Sequence, residues 1–100
     1  MKNFRTFHIA VEFYHATKTL PLKGNLRDQL TRAASSIALN LAEGRGKRTT
    51  KDQVRFFQIS MGSLRESQAI LVLAQIDNSK LNLLADKLGA HLYRLIKNAR

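Results

Sequence analysis

Residues 32–44, RAASSIALNLAEG, and residues 55–67, RFFQISMGSLRES, are the stretches whose reading decides the fold. In the first, Ala33 or Ala34, Ile37 and Leu41 recur at helical spacing. In the second, Phe57, Met61 and Leu64 do the same, with Val54 before them and Leu71 beyond. Each set puts an apolar seam on one helical face. Between the runs stands Gly44-Arg45-Gly46-Lys47-Arg48-Thr49, where Gly44 and Gly46 are expected to stop one helix before the next begins. Long helices joined by so short a connection lie antiparallel. A turn centred near Lys47 and Arg48 sets Ala34 opposite Gly62 and Ser36 opposite Ser60, so that small side chains meet. Gly62 in mid-helix costs about 1 kcal/mol against alanine, and close backbone packing is the reason to accept that cost. The same register brings Arg32 near Glu66, as a partly buried pair that would fix the hairpin. Asn40 falls near Phe56 and Phe57, where a buried amide needs partners. Glu43 carries the wrong charge for a helix C-terminus and should pair with Arg45, Lys47 or Arg55. With Ser63, these residues make up a structural hairpin.

The flanking sequence extends this hairpin into a bundle. From about residue 3 to 19, Phe4, Phe7, Val11 and Tyr14 form one stripe and Ile9, Phe13, Ala16 and Leu20 a second, with Arg5, His8, Glu12, His15 and Thr19 as the polar strip. Two stripes are more than one seam covers, so helix one is expected to contact another subunit as well. Pro21 and Gly24 mark the first break. Helix two then spans about 25–43, and helix three about 50–75, opened by a Thr50-x-x-Gln53 capping box. Asp77-Asn78-Ser79 is a turn and cap cluster. Helix four, about 79–99, carries Leu81, Leu84, Leu88, Leu92, Leu95 and Ala99 at near-heptad spacing. Strand-like alternation is absent. The expected fold is all-α: a single domain over residues 1–100, an up-down-up-down antiparallel four-helix bundle.

Composition narrows function. Seventeen Lys and Arg against seven Asp and Glu give a net charge of +10, which favours polyanionic partners. With no cysteine, thiolate metal sites and cysteine nucleophiles are excluded. His8 and His15 lie seven apart on one strip, and His91 is distant in sequence; without an accompanying ligand motif they read as surface or interface groups, so no metal and no cofactor are expected. The seven acids are scattered, and no nucleophile–base–orienter set can be assembled on the hairpin; the chain reads as a non-enzyme. The opening MKNFRTFHIA lacks the apolar core of a signal peptide, and no stretch approaches the ~18 apolar residues of a membrane span. A cytoplasmic protein is expected. Gly44-x-Gly46 lacks the preceding strand and third glycine of a dinucleotide fingerprint.

The central hairpin resembles a known family, the four-helix-bundle proteins encoded in intervening sequences of bacterial large-subunit (23S) ribosomal RNA genes. The resemblance rests on Arg32-Ala33-Ala34-Ser35-Ser36-Ile37-Ala38-Leu39-Asn40-Leu41-Ala42-Glu43-Gly44 and continues through Lys51-Asp52, Arg55-Phe56, Ile59 and Gly62-Ser63 to Glu66. Leu41 stands where the family has isoleucine, and Ser60 where alanine is common. Helix one fits more loosely, through Phe4, Ala10 and Tyr14, and helix four only in character. The resemblance implies a four-helix bundle assembled into a ring-like homo-oligomer, a pentamer in relatives. The related accessory variability proteins of diversity-generating retroelements form similar basic pentamers that bind a reverse transcriptase and nucleic acid.

The best candidate contact surface is the basic cluster of Arg45, Lys47, Arg48, Lys51 and Arg55. Free backbone N–H groups at the start of helix three would add to its attraction for phosphate, and a ring would repeat it on one rim. The expected function is therefore a non-enzymatic, oligomeric accessory protein that binds RNA or DNA phosphates through this rim. The alternative is a protein-interaction scaffold that binds no nucleic acid.

Overall fold

The computed structural model describes residues 4–99, and its helices follow the periodicity read above. They are α1 (Arg5–Lys18), α2 (Gly24–Arg45), α3 (Thr50–Leu73) and α4 (Ser79–Asn98). There is no strand among the described residues. The expected start of helix one at residue 3 lies outside them. The helices pack in a closed square: α1 on α2, α2 on α3, α3 on α4 and α4 back on α1, with α2 and α3 the most extensive pair. Contacts run in opposite chain directions across α2–α3 and across α1–α2. Ser60 meets Ile37 while Gly44 meets Phe57. Arg27 reaches Thr17 while Arg45 covers Phe4. The result is an antiparallel four-helix bundle, 40 × 23 × 22 Å.

One apolar core runs the length of it. Phe13, Leu30, Ile37, Leu41, Leu64, Leu81, Leu88 and Leu92 are almost wholly buried, and each helix supplies at least one of them. Burying such a side chain stabilises by roughly 1.5–3 kcal/mol, which explains why the seams of α2 and α4 were readable from spacing alone. On α1 the buried face is Thr6, Ile9, Ala10, Phe13 and Thr17. Of the other stripe, Phe4 is buried, while Phe7 and Tyr14 pack partly buried against the core edge.

The helix ends explain where the boundaries shift. The Thr50–Gln53 box does not form: the cap is Thr49, whose Oγ1 accepts from Asp52 N at 3.1 Å. Gln53 instead donates its Nε2 to the Lys47 carbonyl at 2.9 Å, tying the turn to the helix. Asn78 caps α4, accepting from Leu81 N at 3.0 Å. α3 stops at Leu73, short of the expected residue 75, because Gln75 adopts φ 58°. Its N–H donates to the Val72 carbonyl at 3.0 Å, and Ile76 N–H donates to the Leu71 carbonyl at 2.9 Å. That is a Schellman ending with glutamine where glycine is usual; the apolar pair Leu71 and Ile76 belongs to the core and accompanies the motif. Gly24 has φ +66°, the left-handed conformation that lets the chain turn from Lys23 into α2.

The hairpin corrects three expectations. Gly44 does not end α2, which continues to Arg45; Gly46 is the cap, in ordinary right-handed conformation. Gly62 is not a packing glycine: it faces solvent, and a Cβ there would meet nothing within 4 Å. The close approach is at Gly44, where a Cβ would stand 2.8 Å from the Phe57 ring. The side of α3 that faces α2 carries Phe57, Ser60, Ser63, Leu64 and Ser67, about a quarter-turn or more away from Gly62. Third, Arg32 and Glu66 are both exposed, and the ion pair found among the described residues is Lys47–Glu43 at 3.0 Å instead. Arg32→Ala should therefore change unfolding free energy by less than about 0.5 kcal/mol, read from the urea midpoint; a loss of several kcal/mol would restore the buried-pair reading.

What holds the seam is a hydroxyl network. Ser36 and Ser63 share a hydrogen bond of 2.9 Å across the helices. Asn40 donates Nδ2 to both the carbonyl and the Oγ of Ser36, each at 2.9 Å. Ser60 donates to the Ile37 carbonyl, and Ser67 to that of Ser63, both at 2.9 Å. Ala34 is fully buried beside them. Ser36 thus pairs with Ser63, one turn along from the expected Ser60. No buried side-chain polar atom among the described residues lacks a partner, as low-dielectric packing requires.

Candidate functional site

Antiparallel packing brings four helix ends together where α2 turns into α3. The basic cluster sits there, and aromatic rings hold part of it. The Arg45 guanidinium lies 4.4 Å from the centroid of Phe4. Phe56 carries Arg55 at 4.6 Å and Lys47 at 5.1 Å. Such cation–π contacts are worth about 0.5–1 kcal/mol at exposed sites; they fix where the charges stand. Arg48 and Lys51 are exposed on the turn and the first turn of α3. Glu43 lies against Lys47, as expected, but the pair is half-exposed and contributes little. The five cations of the sequence reading therefore share one end of the bundle.

Sequence reasoning missed what α1 and α4 add. A cavity of about 500 Å³ opens at this end. Arg45 on one side and His91 and Arg94 on the other line it, together with the amides of Gln53 and Asn98. Phe4, Phe57, Leu95 and Ala99 supply its apolar surface. His91, set aside as distant in sequence, is partly buried here. Burial first, then the charges of Arg94, Arg5 and Lys87, lower its pKa from the ordinary histidine value. The signal that could have found it was topological: in an up-down bundle, the start of α1 and the end of α4 must lie beside the α2–α3 turn.

His8 and His15 are exposed on α1, each beside a neighbouring ring, Phe7 and Tyr14 respectively. No group of three or more His, Cys, Asp or Glu among the described residues could hold a metal ion. No helix among them is long and apolar enough to cross a membrane.

The fold and this end together define a small helical-bundle protein that concentrates positive charge on one tip. The family model of the 23S rRNA-intervening sequence protein matches residues 4–99. The chain belongs to that family. No curated protein and no solved structure matches it.

Proposed function

We propose that this protein is a non-enzymatic, cytoplasmic accessory protein that binds the phosphates of RNA or DNA through the basic tip of its bundle. The observation that carries this reading is the gathering of Arg45, Lys47, Arg48, Lys51 and Arg55 at one end, with three of them seated on aromatic faces. Positioned cations bind phosphate without a large ordering cost, and contacts of this kind orient a protein on a polyanion without reading its sequence. The net charge of +10 would speed encounter. A homo-oligomer, a pentamer by its resemblance, belongs to the same reading. Leu39, Val72, Leu73, Leu83 and Tyr93 are large apolar groups at least 60% exposed, the kind of surface that a second copy covers. A ring would repeat the tip and turn weak contacts into avidity.

Filter binding to generic RNA over a salt series tests it. Affinity should fall steeply with salt, by a log–log slope near 0.7 per phosphate contact on single strands. Changing Arg45, Lys47 and Arg48 together to alanine should weaken binding on the order of tenfold and flatten that slope, with the helical circular-dichroism signal retained. Absence of binding at about 50 mM salt would eliminate the reading, and an unchanged affinity in the triple variant would place the contact elsewhere.

A further inference from the structure

The cavity at this tip has a composition that phosphate attraction alone does not require. A rim that only holds a backbone needs cations on a convex surface. Here a concave space of about 500 Å³, within the range of small-molecule sites, pairs cations with an apolar wall. Arg45 is seated on the Phe4 ring at 4.4 Å, and Phe4 stands 6.4 Å from Phe57. The guanidinium covers the Phe4 face, and the Phe57 ring is tilted against Phe4 at 58° where both line the cavity. Gln53, which also lines the cavity, gives its Nε2 to the Lys47 carbonyl.

Resting on the proposed nucleic-acid reading, we propose that this cavity binds a nucleoside phosphate, its phosphate between Arg45 and Arg94 and its base against the wall formed by Phe57 and Leu95. Guanidinium groups are suited to phosphate by their planar donor fork, and base stacking on aromatic or guanidinium planes tolerates any base. Gln53 and Asn98 can meet the polar edge of a base. A base paired in a duplex has no free face to offer, so the site selects unpaired nucleotides. His91 supports the assignment. The charged groups around it are Arg94 and Lys87 on its own helix, Arg5 on α1 and Arg45 across the cavity on α2, while α3 contributes the uncharged Gln53. All of those charges are positive, and burial with the charges of Arg94, Arg5 and Lys87 lowers the imidazole's pKa. A bound phosphate would oppose them and raise its pKa.

The full chain would be titrated with uridine monophosphate, a six-nucleotide oligouridylate and an RNA duplex. His91 imidazole resonances would be followed by NMR, and affinities compared for the natural chain and Arg94→Ala. Arg94 is exposed, so the variant should fold. The oligouridylate should shift His91, and Arg94→Ala should weaken it on the order of tenfold while duplex binding stays unchanged. An equal response to uridine monophosphate would make the free nucleotide the ligand; a response to the oligouridylate alone would make it a strand. If RNA binds but His91 stays silent, or single strand and duplex weaken alike, the cavity assignment is overturned and the basic tip stands. A His91 response to uridine monophosphate without RNA binding would uphold the cavity and overturn the tip; no binding of any probe at low salt would overturn both.

Discussion

Gly44→Ala should destabilise the fold by about 1 kcal/mol, while Gly62→Ala should stabilise it by about 0.5–1 kcal/mol. The opposite signs follow from what a methyl group would meet. At Gly44 it would stand 2.8 Å from Cε1 and 3.0 Å from Cδ1 of Phe57, and 3.0 Å from Cβ of Phe56. Neither neighbour can retreat easily. Phe57 is 5% exposed and packs with Phe4, and the Cβ of Phe56 is rooted in the α3 backbone. The ends of α2 and α3 must part, or the Phe57 ring must swing toward the cavity. Overpacking of this kind costs about 1–3 kcal/mol. Removing a helical glycine returns about 1 kcal/mol, which leaves the net loss. Valine, with two more methyls, should lose about 3 kcal/mol. At Gly62 only the helical gain applies, because the space around it is open. Urea midpoints at constant slope give both values; a Gly44→Ala chain as stable as the parent would mean that the close approach is not rigid.

Arg27→Met should cost about 2–3 kcal/mol. Arg27, near the start of α2, holds the whole connection from α1. Nη1 donates to the Thr17 carbonyl at 3.0 Å, Nη2 to that of Leu20 at 2.5 Å and Nε to that of Leu22 at 3.2 Å. The Thr17 carbonyl lies in the last turn of α1, where it also accepts from Leu20 N–H at 3.3 Å and the helix dipole is negative. One guanidinium thus serves both a cap and a loop. Hydrogen bonds from a charged donor are worth about 1.5–3 kcal/mol singly and do not simply add. Methionine keeps the stem's packing and removes every donor. Lysine keeps the charge without the planar fork, so Arg27→Lys should fall between the two. Hydrogen exchange at residues 19–23 should rise with the loss of midpoint. A change under about 0.5 kcal/mol for methionine would show that water replaces the guanidinium without loss.

Arg27 also marks what was not legible. Nothing in its spacing distinguishes it from Arg32, which stands free of the interface on the same helix. The difference lies in what the preceding loop presents to each, and a loop path is set by tertiary closure. The basic tip divides the same way. Arg45 to Arg55 were visible as a cluster because they are neighbours in the chain. Arg5, His91 and Arg94 reach that tip from helices at opposite ends of the sequence. A mid-helix glycine signals either close packing or exposure, and at Gly62 the rotation of α3 against α2 makes it exposure.

The sequence by itself determined four helices, their antiparallel order and the charge of one tip. Those properties depend on periodicity, short connections and composition, which act locally along the chain. Tertiary structure decided which glycine lets two helices touch, which arginine caps α1 and which side chains close around a cavity. Each of these depends on the rotation of one helix about its axis against another. A rotation of one residue, about 100°, exchanges a buried position for an exposed one while leaving the pattern of apolar spacing unchanged.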